Sequence, residues 1–159
     1  MMDSPHPPDS VSLRFESTKT LRFVIEREAT DTSGVDDIAF GVAAGLSWDA
    51  DEAAFSVRLG ILYQAAPNPE ALVYGAIETE TVFLAVGFSR DELDQDQMEL
   101  PDEMVAVLLE DAYATTRGVA LTLGQGTLLG QFPLPVRRGD QLTRLLRAVQ
   151  PDPAPGDES

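Results

Sequence analysis

The chain has 159 residues, with 27 acids against 11 bases, one His and no Cys, for a formal charge of −16 and a pI near 4.1. A hydrophobic fraction of 43% can build a core in one domain of this length and is too high for a chain disordered throughout. Without Cys there is no disulfide framework, thiol nucleophile or thiolate metal site, and the lone His6, beside Pro5 and Pro7, leaves no His dyad or multi-His centre. Ten Arg and one Lys, scattered, cannot neutralise nucleic-acid phosphates or sit on an anionic membrane. No apolar stretch reaches the ~18 residues of a transmembrane helix, and the N-terminus lacks a signal peptide's basic and apolar regions. The expectation is a soluble cytoplasmic protein with no enzymatic activity, metal or cofactor. Its acid excess with almost no Lys suits salt adaptation or a nucleotide bias equally.

Residues 1–10 and 150–159 are rich in Pro, Ser and acids and predict disordered tails, leaving 11–149 as the folded domain. Val11, Leu13 and Phe15 alternate with polar residues, and Leu21, Phe23 and Ile25 keep the same parity. This predicts one long strand with a bulge near Ser17-Thr18-Lys19. Ile38 to Trp48 is apolar at every second residue, as is Phe55 to Tyr63; Asp49-Ala50-Asp51-Glu52 turns between them, and Pro67-Asn68-Pro69-Glu70 turns before a fourth strand over Leu72–Phe88. Short turns between alternating strands imply an antiparallel meander with one covered face.

An acidic connection over 89–100 follows, then a helix opening at Pro101 with Asp102 and Glu103 at its positive end. Its apolar residues run around nearly two faces to Leu123, which predicts two partners, one from another subunit. Met104, Leu108, Ala112 and Val119 are the candidate oligomer contacts. Gly124-Gln125-Gly126-Thr127 ends the helix. Leu128–Val136, with Phe132-Pro133-Leu134-Pro135, reads as an extended crossing, since a residue before Pro avoids the helical region. Gly139–Val149 predicts a short closing helix with Leu142, Leu145, Leu146 and Val149 on one side. The fold class expected is α+β: a four-stranded antiparallel sheet with one long and one short C-terminal helix on one face.

Candidate sites are few. The acids Asp91, Glu92, Asp94, Asp96, Glu99, Asp102 and Glu103 miss the EF-hand spacing and read as a solvated loop. Gly124-Gln125-Gly126-Thr127 follows a helix with no Lys nearby, which marks a helix stop and not a phosphate loop. Tyr113 and Arg117 share a helix face and read as a packed Tyr beside a surface Arg.

The run Tyr113-Ala114-Thr115-Thr116-Arg117-Gly118, then Gly126-Thr127, then Leu134-Pro135-Val136, resembles the closing pattern of SecB-type export chaperones and their SecB-like relatives. Ser17-Thr18-Lys19 is similar to the tyrosine-threonine-lysine between the two halves of their first strand. The resemblance in element order covers 11–149. It implies a cytoplasmic homotetramer, a dimer of dimers, that holds unfolded polypeptides for export or for a dedicated client such as an antitoxin. The client groove it implies is lined by Phe132, Leu134, Leu142, Leu145 and Leu146, with Phe40 and Trp48 from the strands. Export members dock on the SecA motor through acids; here the corresponding positions are Thr20, Val24 and Gly75-Ala76, a departure that weakens that partner. A competing expectation is a small-ligand or lipid carrier with a closed pocket beneath the helix, and a structural or regulatory subunit stands third.

Overall fold

The computed structural model describes residues 12–26, 38–65, 73–88, 91 and 100–149, with the side chains of Leu128 and of 146–149 not included. Both tails, His6, the Pro67–Glu70 turn and most of the acidic connection lie outside the described residues. The protein is α+β. Strands β1 (Ser12–Ile25), β2 (Ile38–Asp49), β3 (Ala54–Ala65) and β4 (Val73–Val86) form one antiparallel sheet in the order β1-β4-β3-β2. Helices α1 (Asp102–Leu123), α2 (Leu128–Gln131) and α3 (Gly139–Val149) follow.

The odd residues of β3, Phe55 to Tyr63, are buried and pair across with Phe83, Thr81, Thr79 and Ile77 of β4. This face meets Leu108, Leu109, Ala112 and Tyr113 of α1, and Leu142 of α3 joins the same core. On β2 the even residues face inward, from Ile38 to Trp48, in unbroken register with β3. Asp49 closes the hairpin: its Oδ1 accepts from the amides of Asp51 (3.0 Å) and Glu52 (3.2 Å). Ala53 then sits at φ 49°, left-handed and costly for a residue with a Cβ.

β1 differs from its expected form. Its register against β4 slips twice, between Phe15 and Ser17 and between Thr20 and Arg22. Each slip moves every later side chain to the other face. Two slips cancel, so Phe15 and Phe23 share a face while Thr18 between them turns inward as well; Thr20, opposite Thr79, stays exposed. Thr18 meets buried Thr81 (Oγ1–Oγ1 3.0 Å), and buried Thr79 meets Thr116 of α1 (2.7 Å).

A second difference lies after α1. Leu128–Gln131, expected to be extended, is one helical turn begun by Thr127, whose hydroxyl donates to the Gly124 carbonyl (2.7 Å). Gly130 packs on Gly124 so closely that a Cβ there would stand 2.3 Å from the Gly124 oxygen.

Candidate functional site

Tyr113 and Arg117 lie one turn apart on α1 and face the crossing segment 132–138. The Tyr113 hydroxyl donates to the Pro135 carbonyl (2.8 Å), and Arg117 Nε donates to the Leu134 carbonyl (2.9 Å). Pro133 and Pro135 hold this segment extended, and Pro135 has no amide to offer, so its carbonyls are the natural handles. Arg117, expected to be a surface residue, is half-buried and ties the two halves of the sequence pattern together. Farther along, Glu110 accepts the Gly139 amide (2.7 Å) and seats the start of α3 on α1. Gly139 belongs there because a Cβ would lie 2.3 Å from the Ala106 oxygen.

Burial pushes the Tyr113 phenol up, while the guanidiniums of Arg137 and Arg117 pull it back. Burial, with Tyr113 beside it, pushes Tyr63 up to about 12, so both phenols are neutral donors at any working pH. Arg137 Nε is buried without an acceptor. Burial and the neighbouring Glu110 raise the Asp111 carboxyl. Among the described residues no three His, Asp or Glu side chains cluster as metal ligands, and no helix is long and apolar enough to cross a membrane.

The anticipated groove residues divide into two kinds. Leu134 and Leu142 are fully enclosed in the hydrophobic core and present no surface. Phe132 and Leu145 are half-buried, as are Phe40 and Trp48 on β2. Phe40 stands edge-on to Tyr63 (5.2 Å between centroids), and Trp48 lies tilted on Phe55 (4.5 Å). Leu46, on the expected apolar row of β2 but not among the expected groove residues, is half-buried beside Phe40 and Trp48 on the inward face. The Leu146 side chain lies outside the described residues.

The anticipated oligomer contacts also divide. Leu108 and Ala112 are spent on the protomer's own sheet and present no surface, while Met104 and Val119 are half-buried. The large apolar residues that α1 leaves outside are Val107, 59% exposed, and Leu121 and Leu123, each 42% exposed. On the far side of the sheet a hollow of about 300 Å³ opens where Gly41, Ala43 and Gly60 leave room between Leu62 and Glu78.

No family model and no curated protein matches the chain by sequence. Among solved structures, it is similar to a SecB-like chaperone of Mycobacterium tuberculosis, in complex with a peptide from an antitoxin, at 12% identity and a TM-score of 0.48 over 79% of this chain and 88% of that one. It is also similar to a protein of unknown function from Streptococcus agalactiae, at 10% identity and a TM-score of 0.41 over 81% and 98%.

Proposed function

We propose that the protein is a SecB-like holdase: it binds unfolded polypeptide in the groove bounded by the inward row of β2, the crossing segment and α3. The observation that carries this reading is the pair of hydrogen bonds from Tyr113 and Arg117 to the carbonyls of Pro135 and Leu134. They make one device of the two sequence motifs on which the resemblance rests, and they hold the crossing segment that carries half-buried Phe132. Binding there requires no catalytic group. Each large side chain covered by a client would contribute on the order of 1.5–3 kcal/mol at best, so affinity comes from several weak contacts along a chain.

In the same reading the protein acts as a homo-oligomer, a tetramer in the SecB manner, in the cytoplasm. The exposed Val107 and Leu121 of α1 supply the contact. A β1 that is bulged twice is poorly suited to pairing with the first strand of a second copy. A dedicated client fits better than a preprotein handed to the SecA motor: Val24 and Ala76, at positions where acids are wanted, are register neighbours on β1 and β4. The carrier reading gains nothing, because the space under α1 is filled by Leu59, Phe83, Leu108, Leu109 and Tyr113.

The test is aggregation of a slow-folding protein diluted from denaturant. Wild type delays it in substoichiometric to equimolar amounts, and Phe132→Asp with Leu145→Asp does so less. Both residues are half-buried, so the pair spares the core. A wild type that never delays aggregation, or a double variant of unchanged mass that works equally well, overturns the reading.

A further inference from the structure

From Ala112 to Val149 the chain carries five Arg and a single acid, Asp140, in a protein of net charge −16. Two of these cations converge where α1 meets the crossing segment. Arg117 uses its Nε on the Leu134 carbonyl (2.9 Å). Arg137 follows two residues after Pro135, whose carbonyl takes the Tyr113 hydroxyl (2.8 Å). Both guanidiniums stand close enough to Tyr113 to act on its phenol. Both side chains are half-buried, and Arg137 Nε is the one buried side-chain nitrogen or oxygen among the described residues without a hydrogen-bond partner. Neither arginine has an ion-pair partner among the described residues. Glu110, on the same side of α1, is taken by the Gly139 amide (2.7 Å) instead. Two like charges drawn partly out of water, with no counterion, burden the fold through both desolvation and repulsion. A chain with 27 acids could have paired them within the fold and does not.

We infer that Arg117 and Arg137 form a binding site for a carboxylate; this goes beyond the holdase reading and stands without it. A guanidinium presents its N–H donors as a planar fork, and a carboxylate, planar with two oxygens, is the group that such a fork accepts. The backbone already holds Arg117 through Nε, so one half of the site is positioned before any ligand arrives. Arg137 supplies the donor that the fold leaves without an acceptor. The net charge of the whole chain then selects among anions. A dianion such as phosphate carries twice the charge of a carboxylate into that negative field and is disfavoured. Apolar surface adjoins the pair in the chain: Val136, between Pro135 and Arg137, is 73% exposed. The ligand is therefore a carboxylate borne on an apolar group. A small aromatic or aliphatic acid offers that chemistry, and so does an Asp, Glu or chain end beside apolar residues of a polypeptide.

The probes are benzoate, inorganic phosphate and two leucine-rich peptides, capped at both ends, that differ only in one glutamate against glutamine. Each is titrated into the full chain labelled with nitrogen-15. The readout is the Nε–H resonances of the two arginines, identified from the spectra of Arg117→Lys and Arg137→Lys. Benzoate or the glutamate peptide shifts both resonances saturably, and the glutamate peptide saturates them at a concentration at least about tenfold below its glutamine twin. Benzoate as tight as the glutamate peptide assigns the site to free acids, and a tighter peptide assigns it to polypeptide carboxylates; both support the site. Arg137→Gln abolishes the preference for glutamate, and the wild-type titrations decide the matter even where that variant fails to fold. The inference falls if neither benzoate nor the glutamate peptide gives a saturable shift. It falls equally if the preference survives Arg137→Gln, or if phosphate saturates at the lowest concentration. None of these three results touches the holdase reading, which the aggregation assay tests separately.

Discussion

The two ends of the sheet are fixed in opposite ways. On the β1–β4 side the inward face is partly polar. Thr18 meets Thr81, Thr79 meets Thr116, and the strand is bulged twice and charged outside. On the β2–β3 side the inward face is aromatic and aliphatic and the register is unbroken. Hydroxyl pairs fix one arrangement, because a buried hydroxyl without its partner is expensive. Apolar side chains without hydroxyls to satisfy set no such constraint. The difference teaches that one sheet can be fixed on one side by paired hydroxyls and on the other by aromatic and aliphatic packing in an unbroken register.

The largest expected effect is on the β2 side. Gly139→Ala would force a Cβ against the Ala106 carbonyl and lift α3 from α1, at a cost of about 3 kcal/mol in chemical denaturation. A loss below about 1 kcal/mol would mean that α3 is not seated as described. On the β1–β4 side, the Thr116 hydroxyl donates to the Ala112 carbonyl (2.8 Å), so Thr79 must be the donor in their pair. Thr116→Val then strands the Thr79 hydroxyl and costs about 1–3 kcal/mol, and adding Thr79→Val recovers part of the loss. Additive losses would contradict that assignment.

Smaller effects sharpen the contrast. Ala53→Gly, in the turn joining β2 to β3, relieves a left-handed alanine and raises stability by about 0.5–1 kcal/mol. A melting temperature unchanged or lowered would refute it. The smallest concerns Asp111. A carboxyl raised in the fold binds its proton more readily there than in the unfolded chain. It therefore subtracts stability at neutral pH, and that loss disappears as pH falls through the folded value toward the ordinary one. Asp111→Asn is thus mildly stabilising at pH 7 and neutral near pH 3 by denaturation at the two pH values. An equal effect at both would show that charge is not the cause.

Alternation made β2 and β3 legible, since one covered face imposes period two on both strands. In β1 one bulge was expected near Ser17-Thr18-Lys19 and two are present, because two one-residue shifts restore the parity that the alternation reads. The turn at Leu128–Gln131 is too short to show a helical period. Around α1, apolar residues on nearly every side could not tell Leu108 and Ala112, which face the sheet, from Val107 and Leu121, which face out. Arg117 was misplaced for a similar reason. Its partner is a main-chain carbonyl, and a carbonyl leaves no mark on residue identity. The same holds for Leu134 and Leu142: both were expected on a groove surface, and residue identity alone could not tell that both are buried in the core.

The contrast between the edges is tested most directly by amide hydrogen exchange, with and without a permanently unfolded polypeptide such as reduced, carboxymethylated α-lactalbumin. The predicted result is new protection around Phe132 and Leu145 and along β2, and none along β1. Protection gained along β1 while β2 stays unchanged would contradict the account, as would no protection anywhere in the sheet.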